Sequence, residues 1–428
     1  MNDSDQPNES HQTTIQFVCA QCGRQLKISA SLAGSTVKCP VCSHVQTAEM
    51  PSPEADSPQT PADLPVPGAS SDPSASPESS TPVEAAPVTS SLPEKRVPGL
   101  ARSTEAEPET KDTPVRQLFM RMLDEISKIY VGQDELVLGT LVALFSRGHV
   151  LIESVPGLGK TLFVRTLGKV LGCKFGRIQF TADLMPSDIT GAPIFDMKTQ
   201  EFRFRPGPVF TQLLLADEIN RSPAKTHAAL LETMQEYRVT VDGVSHPMDQ
   251  PFLVLATQNP IESEGTYNLP EAQLDRFMLK LYASYPSVEE EAQILTMHSQ
   301  QLDLNDRLER DVQTVTSPAE ILEVTRENGD VRVDEKLVNY INQIVRLTRE
   351  WPQFHMGASP RAGIALMQGA RTLAAFYGRD YAVPDDVAQI VLPALRHRVI
   401  MTAEADVEGY RVDDVLSDLV RSVEVPRI

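Results

Sequence analysis

The sequence predicts an α/β fold, a parallel sheet with helices on both faces, continued by a helical C-terminal region. Three observations predict it. Residues 149–161, His-Val-Leu-Ile-Glu-Ser-Val-Pro-Gly-Leu-Gly-Lys-Thr, pass from a short apolar strand through a Pro/Gly turn into a helical pattern of Leu162, Val164, Leu167, Val170 and Leu171. Residues 212–218, Gln-Leu-Leu-Leu-Ala-Asp-Glu, form an apolar strand that ends in two carboxylates. Further apolar strands at Arg177–Phe180, Phe252–Thr257 and Phe277–Leu281 alternate with helical patterns, which is the order of a parallel sheet. Ligands of such sheets bind outside the carboxyl ends of the strands.

Taken in order, the chain opens with a polar, acidic tail over residues 1–15, beginning Met1-Asn2-Asp3-Ser4-Asp5. It has no basic or apolar leader, and no apolar run approaches a membrane span, so the expected location is cytoplasmic. Residues 16–49 hold Cys19-x₂-Cys22 and Cys39-x₂-Cys42, with sixteen residues between the pairs. That spacing predicts a tetrahedral Cys₄ zinc site of ribbon type, with Zn²⁺ supplying most of the stability of a module too short for its own core. Gln25-Leu26-Lys27-Ile28 alternates like one of its strands. Residues 50–113 are rich in Pro, Ser, Ala, Glu and Thr and predict a disordered linker, because too little apolar surface is available to offset ordering entropy.

Residues 114–285 carry the predicted α/β core. Leu118, Met122, Leu123, Ile126 and Ile129 recur at helical spacing, and a second apolar helix runs from Leu136 to Phe145. In the turn Pro156-Gly157-Leu158-Gly159-Lys160-Thr161, backbone N–H groups and a helix N-terminus face a polyphosphate. Lys160 reaches the β/γ-phosphates of ATP and Thr161 ligates Mg²⁺ in this motif. Asp217 is expected to hold Mg²⁺ through water, and Glu218 to polarise the attacking water. Two hairpins interrupt the alternation. Ile194–Asp196 pairs with Glu201–Phe204, and Arg238–Val241 meets Val244–His246 across Asp242-Gly243, a strong two-residue turn. Hairpins inserted here are expected to make contacts with other molecules. The lone Cys173 is expected to pack in the core.

Residues 286–428 read as a helical lid. Val338, Ile341, Ile344, Val345 and Thr348 are expected to share one buried face, and Ile364, Met367 and Leu373 another. A helix starts at Pro384, and a last one near Asp413-Asp414 buries Val415, Leu416, Leu419 and Val420.

Together these residues resemble the MoxR family of AAA+ ATPases over roughly residues 115–428. The resemblance rests on the phosphate loop, Ala216–Arg221, Ala256-Thr257-Gln258-Asn259-Pro260, Glu264–Tyr267, Leu269–Phe277 and Ala358–Ala362, in that order. It implies an AAA+ core with inserted hairpins and a lid. It also implies that Val131 and Gly132 pack the adenine, that Asn259 aligns the attacking water, and that Arg276 is an arginine finger reaching ATP in a neighbouring subunit. Arg361, opening a lid helix, matches the second sensor, which couples phosphate state to lid angle. Assembly is then a ring, usually a hexamer, and the client is a protein with a von Willebrand factor A domain. One departure stands out. The family's loop begins with glycine where this chain has Ser154, and serine would strain the loop by about 1–2 kcal/mol if that position needs positive φ or close backbone packing.

Of the 428 residues, 39 are Lys or Arg and 58 are Asp or Glu, a net charge of −19. Roughly half of that charge falls in the N-terminal tail and linker. The acidic balance argues against a broad nucleic-acid surface. The function expected is ATP hydrolysis that remodels or activates a partner protein. The alternatives are a nucleotide-gated scaffold with weak hydrolysis, a magnesium-chelatase-like motor subunit, and a nucleic-acid motor.

Overall fold

The computed structural model describes residues 110–260, 267–299 and 304–427, with four short strands nearer the N-terminus. The chain divides into two units, Met1–Ala85 and Ala86–Ile428. In the first, β1 (Thr14–Val18) pairs antiparallel with β2 (Gln25–Ser29), and β3 (Thr36–Lys38) with β4 (Val45–Thr47). The alternating segment at Gln25–Ile28 is therefore a strand. Cys19, Cys22, Cys39 and Cys42, and the whole segment 50–109, lie outside the described residues.

Among its described residues the second unit opens with α1 (Pro114–Ser127), where Thr113 caps the helix by accepting the Arg116 N–H at 3.2 Å. There follow α2 (Asp134–Phe145), β5 (Val150–Ser154), α3 (Lys160–Leu171), β6 (Phe175–Gln179) and the short α4 (Pro186–Thr190). Next come the hairpin β7 (Gly191–Asp196) and β8 (Glu201–Pro206), then β9 (Leu213–Asp217) and α5 (Ala224–Glu236). A second hairpin, β10 (Arg238–Val241) and β11 (Val244–Pro247), leads to β12 (Leu253–Gln258), α6 (Glu271–Leu274) and β13 (Leu279–Ala283).

Five strands form one sheet in the order β13-β5-β12-β9-β6, and every neighbouring pair is parallel. The runs Leu213–Ala216 and Leu253–Ala256 are fully buried. That is why they read as unbroken apolar stretches, since a parallel sheet is covered on both faces. The register aligns the carboxyl ends: Gln179 lies opposite Asp217, and Gln258 opposite Glu153. Just before β5, buried His149 ties three elements together. Its Nδ1 accepts the Val254 N–H at 3.1 Å, so its Nε2 donates to the Met234 carbonyl at 3.0 Å. Burial lowers its pKa to about 4, which keeps the ring neutral.

The remainder is mostly helical: α7 (Val288–Ser299), α8 (Leu304–Asp311), α9 (Pro318–Gly329), α10 (Glu335–Leu347), α11 (Pro360–Phe376), α12 (Pro384–Leu395), α13 (Ala403–Glu408) and α14 (Val412–Ser422). Two short strands within it, β14 (Phe354–Met356) and β15 (Ile400–Met401), pair antiparallel and are absent from the sequence expectation. Val415, Leu416, Leu419 and Val420 are buried as expected, and so is Cys173.

Two expectations about buried faces need correction. Val338 is 43% exposed and Ile364 is 51% exposed. On α10 the buried stripe runs through Leu337, Tyr340, Ile341, Ile344 and Val345, and Val338 falls one residue, about 100°, off that line. On α11 the inner face is made of Ala362, Ala365, Leu366, Gly369, Ala370 and Leu373. Small residues there carry too little hydrophobic contrast for the apolar pattern to reveal the face. Three strands also begin one or two residues away from their expected starts, at Phe175, Leu253 and Leu279.

Candidate nucleotide site

At its carboxyl end β5 hands the chain to a loop over residues 155–159 whose glycines carry the turn. Gly157 has φ +87° and Gly159 φ +70°, a region that costs other residues free energy. A side chain built on Gly157 would meet nothing within 4 Å, so the face in front of the loop is open. Gly159 precedes the first turn of α3, which begins with Lys160 and Thr161. The helix N-terminus and the loop N–H groups make an anion cradle.

Lys160 turns back onto this loop. Its Nζ donates to Ser154 Oγ at 2.7 Å and to the Val155 carbonyl at 3.1 Å. Burial lowers the ammonium pKa, while Asp217 and Glu218 oppose that shift. Ser154 itself is the last residue of β5, buried and paired opposite Ala283. It is not among the residues with positive φ. The positive-φ strain expected of serine at this position is therefore absent, because the position is extended strand. Instead its hydroxyl holds Lys160, competing with phosphate for the ammonium. Replacing Ser154 with alanine is expected to tighten ATP binding up to about tenfold, the equivalent of a ~1.4 kcal/mol charge-assisted bond lost from the free state. Titration with a fluorescent ATP analogue reads this, and weaker binding would show that the hydroxyl instead supports the bound state.

Across the sheet, a single hydroxyl organises the two carboxylates. Thr257 Oγ1 donates to Asp217 Oδ1 at 2.7 Å and accepts the Glu218 N–H at 2.8 Å. Glu218 is held in the left-handed region, φ +56°, where a non-glycine residue costs on the order of 1–3 kcal/mol. Its Oε2 accepts Gln179 Nε2 at 2.6 Å and pairs with Arg221 Nε at 3.2 Å. Asp217 Oδ2 accepts Arg177 Nη2 at 2.7 Å. Asn259 is buried immediately after β12, the strand between β5 and β9.

The structure thus brings Lys160, Thr161, Asp217, Glu218 and Asn259 to the carboxyl end of the sheet. Thr161 hydroxyl and Asp217 carboxylate are hard oxygen donors few in number. This fits Mg²⁺, which keeps several waters and takes one or two protein ligands beside a nucleotide. Val131 and Gly132 line a cavity of about 260 Å³ with Phe119, Leu123, Ile126 and Tyr130. Tyr130 links this apolar wall to the loop, its hydroxyl 3.5 Å from the Leu158 carbonyl and its ring 4.9 Å from that of Phe163.

Arg276 and Arg361 are elsewhere. The Met278 N–H bonds to the His149 carbonyl at 2.8 Å, and Leu279 pairs with Val150. Arg276 therefore precedes the amino end of the sheet, whereas the loop follows the carboxyl end. The run from Val150 to Ser154 alone spans about 13 Å at ~3.3 Å per residue. Arg361 stands near Arg276, because Ser359, which caps α11, donates to Asp275 Oδ2 at 2.9 Å. Arg361, two residues after Ser359 at the start of α11, thus lies with Asp275 near the amino side of the sheet.

Three residues at the site escaped the sequence reading. Thr257 sits in a motif quoted for Asn259. Arg177 and Gln179 are two apart on β6, so they share a face, but only the pairing of β6 with β9 shows that this face points at the carboxylates.

Residues 149–279 match the ATPase family associated with various cellular activities (AAA), and residues 346–419 match the AAA lid domain. The uncharacterized protein YeaC of Bacillus subtilis is 43% identical over 309 residues, 72% of this chain and 95% of its own length. Chaperone MoxR1 of Mycobacterium tuberculosis is 43% identical over 317 residues, 72% of this chain and 82% of its own. A crystal structure of a candidate ATPase from Cytophaga hutchinsonii is 40% identical, covers 73% of this chain and 96% of its own, and superposes with a TM-score of 0.68. With this similarity, and with the Gly157-Leu158-Gly159-Lys160-Thr161 turn and the Asp217-Glu218 pair in place, the chain belongs to the MoxR family of AAA+ ATPases.

Proposed function

We propose that the protein works as a ring, a hexamer by family resemblance, in which each ATP site is completed by the neighbouring subunit. Hydrolysis then remodels or activates a partner protein. The separation of Arg276 and Arg361 from their own phosphate loop is the observation that carries this reading. This separation supports a reading in which both cations serve the ATP of a neighbouring subunit.

The steps follow from the residues. Lys160 leaves Ser154 to meet the β/γ-phosphates held by the loop N–H groups. Thr161 and Asp217 would hold Mg²⁺, which would supply neutralisation of phosphate charge. Glu218 exchanges Gln179 for the attacking water and polarises it, and Asn259 aligns that water. Arg276 from the neighbour neutralises the charge that develops on the γ-phosphate. Arg361, beside it, acts on the same phosphate. The scaffold alternative leaned on strain at Ser154, and an extended Ser154 removes that support.

Partner contact is supported by the β7–β8 hairpin. It exposes Ile194, Phe195, Met197 and Phe202, the last two at 82% and 72%, a concentration of apolar surface typical of interaction sites. A partner with a von Willebrand factor A domain and a cytoplasmic location remain our reading from the family and from the sequence. No helix among the described residues is long and apolar enough to cross a membrane.

Residues 16–49 we read as a zinc ribbon joined by a linker to the ATPase at residues 114–285 and its lid at 286–428. One cysteine pair falls in sequence between β1 and β2 and the other between β3 and β4, the layout of two knuckles. The reduced full-length chain is expected to carry one zinc per chain, lost on changing Cys19 and Cys39 to serine, with ATPase activity retained. Metal analysis that finds no zinc would end that reading.

The ring itself is tested by ATPase rate per subunit against protein concentration. A rate that climbs and then levels off supports it. A rate that is constant from well-dispersed monomer upward contradicts it.

A further inference from the structure

Between the lid and the sheet edge lies a set of polar contacts that the catalytic steps do not use. β13 is an edge strand, so the backbone leading into it lacks a neighbour on one side. The connection between α12 and β15 supplies that neighbour with side chains. Arg398 Nη2 donates to the Phe277 carbonyl at 2.7 Å and its Nη1 to the Met278 carbonyl at 3.0 Å. His397 Nε2 also donates to the Phe277 carbonyl, at 2.9 Å, and Arg396 Nη1 to the Lys280 carbonyl at 3.2 Å. Side-chain bonds in this region converge on one carboxylate. Asp275 Oδ1 accepts Arg398 Nε at 2.8 Å, while its Oδ2 accepts Ser359 Oγ at 2.9 Å.

Ser359 is also the residue whose Oγ accepts the Arg361 N–H at 3.2 Å. A continuous chain of bonds therefore runs from the backbone of Arg361, through Ser359, to the side chain of the residue immediately before Arg276. Both arginines adjoin a node made by the lid, and among the described residues neither is hydrogen-bonded to the phosphate loop of its own subunit. Arg398 is buried and saturated with acceptors, which makes the node stiff.

We infer that Asp275 is a positioning residue that sets Arg276 and Arg361 as one unit, so that the lid of one subunit fixes how its cations reach the neighbour's ATP. This rests on the shared-site reading above. The carboxylate touches no nucleotide; it acts through the arginines. A displacement of about 1 Å in a charge-stabilising group costs on the order of a hundredfold in rate, so the node has a large lever.

The test uses full-length chains. Asp275→Asn keeps the shape of the side chain, and Arg398 keeps its carbonyl acceptors, so the fold is expected to survive. The rate at saturating ATP should fall roughly ten- to a hundredfold, with ATP affinity of the same chain unchanged. The deciding measurement mixes Asp275→Asn chains with Lys160→Ala chains, which lack a working phosphate site but keep intact arginines. The mixture should exceed the sum of the two separate rates, because Lys160→Ala subunits lend their cations to Asp275→Asn sites. A mixture that only sums, while Arg276→Ala mixed with Lys160→Ala does gain, overturns the inference and leaves the shared site standing. Failure of both mixtures overturns the shared site and the inference with it. Should Asp275→Asn not fold, Ser359→Ala removes one bond to the same carboxylate. A smaller loss with the same gain on mixing supports the inference, and no gain overturns it.

Discussion

Replacing Arg276 with alanine is expected to lower hydrolysis in the assembled protein by roughly a thousandfold or more, the range reported for a γ-phosphate arginine supplied from outside the site. ATP affinity should change little. Arg276 lies before the amino end of β13, a strand's length from the loop that holds the nucleotide of the same chain. On the proposed reading its guanidinium would meet charge only as the γ-phosphate departs, so the loss should fall on kcat and not on binding. A lysine at the position should recover only part of the rate, because a point charge lacks the planar donor fork. Steady-state kinetics above the concentration at which the rate levels off, beside nucleotide titration of the same preparation, checks both halves. A variant within a few-fold of wild type would remove Arg276 from the site.

Glu218→Gln is the second large effect. It keeps the size of the side chain and its position at φ +56°, with the backbone N–H still on Thr257. It removes the charge proposed to polarise water. A decrease on the order of a hundred- to ten-thousandfold is expected, with ATP bound and held. The result should be a stable ATP-loaded protein, detectable as unhydrolysed nucleotide recovered after incubation. Equal turnover in the variant would move the water-polarising role elsewhere.

Much of the ATPase was legible because its physics is local. A buried parallel strand must be apolar throughout, a phosphate turn needs glycines at positive φ, and the carboxylates must sit where a strand ends. These requirements leave marks at Leu213–Ala216, at Gly157 and Gly159, and at Asp217-Glu218. Relations across the sheet leave weaker marks. Nothing in the segment Phe175–Gln179 says that Arg177 and Gln179 meet Asp217 and Glu218, since that depends on which strand lies beside it. Arg361 could be named from its motif, but its distance from the phosphate loop depends on where the cap of α11 docks. Ser154 shows the opposite case. The motif expects glycine, yet the backbone there is ordinary extended strand, so the serine is tolerated and turns its hydroxyl to Lys160.

The central claim is that one subunit's loop and another's arginine make one site. The most direct test mixes Lys160→Ala and Arg276→Ala chains, each nearly inactive alone, at a fixed total concentration. If the site is shared, rings containing both kinds of chain pair an intact loop with an intact arginine. Activity then reappears and peaks at intermediate mixing ratios. If each chain completes its own site, every ratio gives no more than the weighted sum of two dead enzymes, and the account is wrong.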